Sequence, residues 1–268
     1  MISIIILTWN SERYIKKCID SLLSDAKASG LETEVLIFDN GSTDSTVSIV
    51  ETAYSSNASI HLTKYTSNKG TTYPRNVGIA QATGEYVICI DADTETTPGA
   101  LSAMIEELGK HEMPGIICPK IIFPDGSVQE SIKRFPTIVT KVLRASYSLF
   151  GIFHGALVRD ELYEGNVTTY PDYGISACWC MKKELFKEVG FFDEHIFYAP
   201  EDVDFCIRVW KAGYKVIFCP RAIVIHHAQR ASYRKPLLAL KHLAGLLYLF
   251  RKHSYFFSRA KLYRTIGR

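Results

Sequence analysis

Short apolar runs alternate with amphipathic stretches through the first ninety residues. Residues 2–7 form an almost unbroken β-branched run, the pattern of a strand buried on both faces. A polar turn, Thr8-Trp9-Asn10-Ser11, separates it from residues 12–24, where Tyr14, Ile15, Cys18, Ile19 and Leu22 recur at helical spacing. Residues 34–38 predict a second strand, 45–54 a helix, 60–64 a third strand, 74–82 a helix and 86–90 a fourth strand. Strand and helix in this alternation argue for an α/β fold with a mostly parallel central sheet and helices on both faces.

Beyond residue 95 the rhythm changes. The pattern predicts helices over 98–108, 183–189 and 201–212, and strands over 115–123, 176–181 and 215–219, with a strand-like run at 222–225. Residues 131–171 are rich in Arg, aromatics and Gly without a clear period, and read as a lid or an acceptor-binding excursion. Residues 236–250 are amphipathic and basic, with Leu240, Leu243, Leu247 and Phe250 on one helical stripe. The organisation expected is one catalytic domain over 1–230, divided into halves 1–95 and 96–230, followed by a basic helical tail over 231–268.

Charge sharpens that division. No acidic residue follows Asp204, whereas 14 of the 31 Lys and Arg do, so the first 204 residues hold 17 basic against 28 acidic residues, a net of −11. The tail therefore has its own electrostatic partner. Two readings are open: a helix packed on the catalytic lobe with its basic face solvated, or peripheral binding to an anionic membrane surface. No nucleic-acid-binding module supports a third. The seven cysteines are scattered through apolar runs without a CxxC pair, which suits reduced core residues of a cytoplasmic protein. Neither a signal peptide nor a membrane span is expected, since no apolar stretch approaches about 20 residues.

The chemistry-bearing residues fall where strands end. Asp91-Ala92-Asp93 closes the run 86–90, and carboxylates at the carboxyl end of an open α/β sheet suit a hard divalent cation that meets phosphates. Glu201-Asp202-Val203-Asp204 opens an amphipathic helix and offers a separate carboxylate for general-base work. Each has a plainer reading: a strand-end turn for the first, acids favouring a helix dipole for the second. The cluster Asp39-Asn40-Gly41-Ser42-Thr43-Asp44 can likewise be only a helix-capping loop. Arg75 reads as a solvated helix residue or a pyrophosphate contact, His226 and His227 as structural histidines or ligands, Trp179 and Trp210 as core, and Trp9 as core or as a ring packed near the base.

Taken in order, Thr8-Trp9-Asn10, Asp39 to Asp44, Arg75-Asn76-x-Gly78 and Asp91-Ala92-Asp93 resemble the nucleotide-sugar half of family 2 glycosyltransferases. Gly190-Phe191-Phe192-Asp193-Glu194, Glu201 to Arg208, Gly213-Tyr214 and His226 resemble the acceptor half. Phe123-Pro124-Asp125-Gly126-Ser127-Val128-Gln129 with Arg134-Phe135-Pro136 is similar to the rhamnosyltransferase-like bacterial branch. The resemblance spans about residues 1–230 and implies a GT-A fold and inverting transfer from a nucleoside-diphosphate sugar, dTDP- or UDP-linked, to a glycan or lipid-linked acceptor of cell-surface polysaccharide synthesis. It places Thr8, Asn10, Asp39, Asn40, Arg75, Asp91 and Asp93 at the nucleotide sugar. Asp93, Asp91 and His226 fall to Mg²⁺ or Mn²⁺, and Asp202 to the general base. Such a protein is expected in the cytoplasm, at the inner face of the membrane where the tail touches it. Ser176 replaces a usual glycine, and Ala199-Pro200 alters the approach to Glu201. Two other classes remain open, a sugar nucleotidyltransferase and a catalytically silent nucleotide-binding scaffold. The first would carry a glycine-rich loop after strand one, and residues 8–13 contain no glycine.

Overall fold

The computed structural model describes residues 1–150, 166–228 and 236–268. Its first third follows the apolar runs: β1 (Ile2–Thr8), β2 (Thr33–Asp39), β3 (Ile60–Lys64) and β4 (Tyr86–Asp91) alternate with α1 (Ile15–Ala28), α2 (Thr46–Tyr54) and α3 (Thr72–Gln81). All four strands pair in parallel in the order β3-β2-β1-β4. Then come β5 (Thr94–Thr96), α4 (Ala100–Gly109), β6 (Pro114–Ile122), β7 (Ile132–Lys133), α5 (Ile138–Phe150), β8 (Tyr173–Gly174) and β9 (Cys178–Lys182). After them lie α6 (Leu185–Val189), α7 (Glu201–Lys211), β10 (Lys215–His226), α8 (Pro236–His253) and α9 (Ala260–Ile266). β9 runs antiparallel between β4 and β6, β10 lies parallel to β6, and β5 closes the edge antiparallel to β10. The eight-stranded sheet is thus mostly parallel.

Alternate residues of the strands feed two cores. Ile4, Ile6, Ile37, Ile88 and Ile90 meet Ile15, Ile19 and Leu22 of α1 and Leu101 and Met104 of α4 on one face. Ile5, Phe38, Val87, Cys89 and Trp179 face the opposite way, toward Ile79 of α3, Val203 and Phe205 of α7, and Leu249 and Leu262 of the tail helices. All seven cysteines are buried and free.

Several local readings are corrected. The stretch 131–171 holds β7 and α5, although residues 151–165 lie outside the described residues. Ile138, Val139, Thr140 and Val142 are poor helix formers, which masked α5 in the sequence. The two runs 215–219 and 222–225 are one strand, β10, with a register shift between Cys219 and Ile223. Pro220 sits at that irregularity, where no ladder hydrogen bond is required of it. The leucine stripe of the tail also divides: Phe250 is buried, while Leu240, Leu243 and Leu247 are each more than half exposed.

Other residues of the described tail pack on the rest of the chain. Gly245 lies so close to the Ala199 carbonyl that a Cβ would stand 2.3 Å from its oxygen. Tail cations meet lobe acids: Lys252 pairs with Asp193 at 2.6 Å and Asp204 at 2.7 Å, and Arg268 with Asp172 at 3.0 Å. His253 bonds Asp204 at 2.8 Å, and Tyr248 donates to Asp193 at 2.8 Å. The charge asymmetry of the sequence is therefore answered, in part, within the chain. Among the described residues no helix is long and apolar enough to cross a membrane.

Burial pushes Asp204 up, but the His253 hydrogen bond, Arg208 and Lys252 outweigh it and hold its carboxyl down at about 2. A carboxylate lowered on folding stabilises above its unfolded-state value and loses that contribution as pH falls through the folded value. Asp204→Asn is therefore expected to cost about 2 kcal/mol at pH 7 and to flatten the stability curve between about pH 4 and 2. Urea unfolding across pH reads both effects.

Candidate active site

The parallel strands deliver their last residues to one edge of the sheet. Thr8 stands opposite Asp39, Leu7 opposite Asp91, and His226 ends β10 opposite Thr94. The carboxyl ends of open parallel sheets leave such a crevice because strands stop there and loops diverge.

The first part of the crevice is made by β1 and β2. Thr8 and Asp39 are buried, and among the described residues Thr8 Oγ1 and Asp39 Oδ1 have no hydrogen-bond partner. Two orphaned buried polar atoms side by side are costly unless a ligand completes them. The other Asp39 oxygen accepts from the Ser42 amide at 3.0 Å, which fixes the carboxylate. Asn10 takes a positive φ of 51°, accepts from the Thr43 amide at 2.8 Å, and its own amide donates to Ser42 Oγ at 2.8 Å. It therefore shapes the loop after β2. Asn40 is spent similarly: it accepts from the Lys69 amide at 2.7 Å and donates to the Gly70 carbonyl at 2.8 Å. A polar cleft lined by Asn10, Glu12, Arg13, Asp44 and His227 opens beside this loop. Trp9 is half-buried at the strand end, whereas Trp179 is fully buried.

The second part is an acidic and imidazole cluster. Asp91, Asp93 and His226 each present a ligand atom, and the three atoms lie within 4.8 Å of one another. His226 Nδ1 meets Gln129 Oε1 at 2.9 Å, which turns Nε2 toward Asp93 Oδ1 at 3.4 Å. Two carboxylates and one oriented imidazole form a donor set that can hold a divalent metal ion, with Gln129 as the group that sets the ring. Burial lowers the His226 pKa, but the hydrogen bond and charge of Asp93 raise it by more. His227 is occupied elsewhere, at 2.7 Å from Glu95, with its ring 4.8 Å from that of Tyr14.

Arg75 joins this cluster to the helix that carries Asp202. The solvated reading of Arg75 is excluded, since its side chain is 2% exposed. Its guanidinium meets Asp91 at 2.7 Å and Glu201 at 3.1 Å, and donates to Ser176 Oγ at 3.0 Å and the Ser176 carbonyl at 3.2 Å. Ser176 Oγ in turn donates to Glu201 at 2.9 Å, so the serine in place of glycine is a working member of the network. Burial and then Asp202 raise Glu201 above the ordinary carboxylate range, while the Arg75 charge and the Ser176 bond favour its ionised form.

Asp202 is half-buried at the first turn of α7, with its Oδ1 accepting from the Val203 amide at 2.8 Å. Burial pushes its carboxyl up, against that amide and the charges of Lys141, Lys133 and Arg75. A raised carboxylate is a better proton acceptor near neutrality. Glu201, read only as a dipole-favouring acid, proves to be a buried structural anion. Its partners lie far away in sequence, so nothing local to the helix signals the role.

Removing Arg75 leaves two carboxylates without their buried counter-charge. Arg75→Met is expected to destabilise the fold by about 3–5 kcal/mol. Adding Glu201→Gln should recover part of the loss, read as paired urea midpoints.

The glycosyl transferase family 2 model matches residues 3–166, and the glycosyl transferase family group 2 model matches residues 86–267. The N-acetylglucosaminyl-diphospho-decaprenol L-rhamnosyltransferase of Mycobacterium tuberculosis is 27% identical over 95% of this chain and 85% of its own length. The poly-beta-1,6-N-acetyl-D-glucosamine synthase of Staphylococcus epidermidis is 27% identical over 83% of this chain, which spans about half of that protein (48%). The mannosyltransferase PcManGT of Pyrobaculum calidifontis, solved with GDP-Man and Mn²⁺, superposes with a TM-score of 0.63 at 18% identity, over 94% of this chain and 63% of that one. The fold is that of the GT-A glycosyltransferases, and the chain belongs to glycosyl transferase family 2.

Proposed function

We propose that the protein transfers a sugar, with inversion, from a nucleoside-diphosphate sugar to a glycan or lipid-linked acceptor in cell-surface polysaccharide synthesis. The observation that carries this reading is the meeting of Asp91, Asp93 and His226 with the Asp202 helix through one buried arginine. The orphaned Thr8 and Asp39 oxygens support a nucleoside at the ends of β1 and β2. Asp39 would accept from the base, and the loop fixed by Asn10 and Asn40 would frame it. Asp91, Asp93 and His226 would hold Mn²⁺ or Mg²⁺, which supplies a Lewis acid for charge developing on the leaving diphosphate. Asp202 would orient the acceptor hydroxyl and take its proton as the new bond forms; one base opposite the leaving group gives inversion. A deoxysugar such as rhamnose on a dTDP carrier is favoured by the rhamnosyltransferase relative, with UDP-linked hexoses as the alternative.

Two experiments test the reading. In thermal unfolding with UDP, dTDP, GDP, ADP and CDP, each with and without Mn²⁺, one diphosphate is expected to stabilise in a Mn²⁺-dependent way. At 100 times its dissociation constant the gain is about 2.7 kcal/mol. No stabilisation by any of them would sink the reading. Asp202→Asn is expected to lower the transfer rate by about 10²–10⁴-fold while nucleotide stabilisation stays within twofold. Undiminished turnover would remove Asp202 from the base role.

A further inference from the structure

An ionised carboxylate offers lone pairs on both oxygens, whereas a neutral imidazole offers one, on whichever nitrogen lacks the proton. In the cluster of Asp91, Asp93 and His226 that difference matters. His226 Nε2 lies 3.4 Å from Asp93 Oδ1. A proton on Nε2 would point at that carboxylate, tie two of the three donors to each other and leave the ring no lone pair on the cluster's side. The backbone holds the two residues in this approach, since the Asp93 carbonyl accepts from the His227 amide at 2.9 Å. Both side chains are 12% exposed, so bulk water has little part in settling the proton. Which nitrogen carries it is then decided by what the other nitrogen meets.

Nδ1 meets the side-chain oxygen of Gln129 at 2.9 Å, and an amide oxygen can only accept. A built turn delivers that amide. After β6 the chain reverses, with the Phe123 amide donating to the Ser127 carbonyl at 2.8 Å. The Asp125 carboxylate accepts from the Ser127 amide at 2.9 Å and the Ser127 hydroxyl at 2.6 Å. Gly126 takes a φ of 84°, a conformation that glycine adopts without steric cost. Val128 then bridges to Ile122, and the Gln129 amide donates to the Ile121 carbonyl at 2.9 Å. Ile122 is in register with Ile225 of β10, the residue before His226. The turn and the imidazole are thus placed by neighbouring positions of two paired strands.

We propose that Gln129 is a positioning residue that selects the Nδ1–H tautomer of His226, with the 123–129 turn as its mount, and so keeps the Nε2 lone pair open to a divalent cation. The proposal rests on the assignment of Asp91, Asp93 and His226 to that cation. Gln129 acts through the imidazole alone. Without it, the proton is free to settle on Nε2 and close the donor set onto Asp93.

Long-range proton–nitrogen NMR of the full chain without metal, at a pH where the ring is neutral, reads the tautomer directly. His226, assigned by its loss in His226→Gln, is expected with Nδ1 protonated and Nε2 bare. Gln129→Leu should abolish that preference, while Gln129→Glu, which still accepts at Nδ1, should keep it. In titration with Mn²⁺ followed by electron paramagnetic resonance, Gln129→Leu should bind about 10–100-fold more weakly, the usual cost of losing the partner of a ligating histidine. Gln129→Glu should stay within about tenfold of the wild type. An unchanged circular dichroism spectrum shows each variant to be folded. A wild type with the proton on Nε2, or a Gln129→Leu variant that keeps the wild-type tautomer, would overturn the proposal, since a turn that merely supports the fold leaves the tautomer alone. Absence of Mn²⁺ binding by the wild type would overturn the cation assignment and the proposal with it. Failure of the glycosyltransferase reading shows separately, as absence of stabilisation by any nucleoside diphosphate.

Discussion

A guanidinium taken out of water must find its compensation inside the protein, and Arg75 finds it in two places at once. Asp91 belongs to the end of a central strand and Glu201 to the start of α7, and the single charge between them fixes one relative to the other. Desolvating a cation and a carboxylate costs several kcal/mol per ion, returned only by close geometry and by hydrogen bonds to what remains. Ser176 supplies such bonds through both its hydroxyl and its carbonyl. The separation between the metal-type donor set and the carboxylate assigned to the acceptor thus follows from an electrostatic requirement, independent of either substrate.

The same logic governs the tail. An acid-rich lobe beside an acid-free tail would be poor design for a solvated appendage, and for the lobe that must tolerate its own repulsion. Packed together, each relieves the other: Lys252 and His253 settle Asp204 on the helix that carries Asp202, while Arg268 settles Asp172. Stability of α7 therefore depends on residues about fifty positions downstream, and the exposed leucines are what the tail leaves over after that packing is satisfied.

What the sequence discloses is what neighbouring residues decide. The unbroken runs of β1 and β4 report burial on both sheet faces, and the acids at their ends stand out because turns follow. Asp91 and Asp93 were legible as a pair because they close an apolar strand, whereas His226 joined them only through the family resemblance. Arg75 was not, because its partners lie 16 and 126 residues away and a lone arginine on a helix has no local mark of burial. α5 hid behind β-branched residues whose helical state is imposed by packing. β10 looked like two strands because Pro220 is normally a break, and only the register shift opposite β6 explains its tolerance. The tail stripe misled for a related reason: periodicity gives a face, but the neighbour determines which face is covered.

One strand has a role that belongs to time. β9 enters between β4 and β6, although β6 precedes it in the chain, and among the named strands it alone connects the β3-β2-β1-β4 half of the sheet to the β6-β10-β5 half. Until residues 178–182 arrive, β4 keeps one edge open with an apolar row on each side, the kind of edge that other chains can pair with. Closure then requires contacts remote in sequence, which slow the search for the native arrangement. A five-residue insert is thus the zip of the molecule: its docking closes the vulnerable edge and joins two half-sheets into one surface.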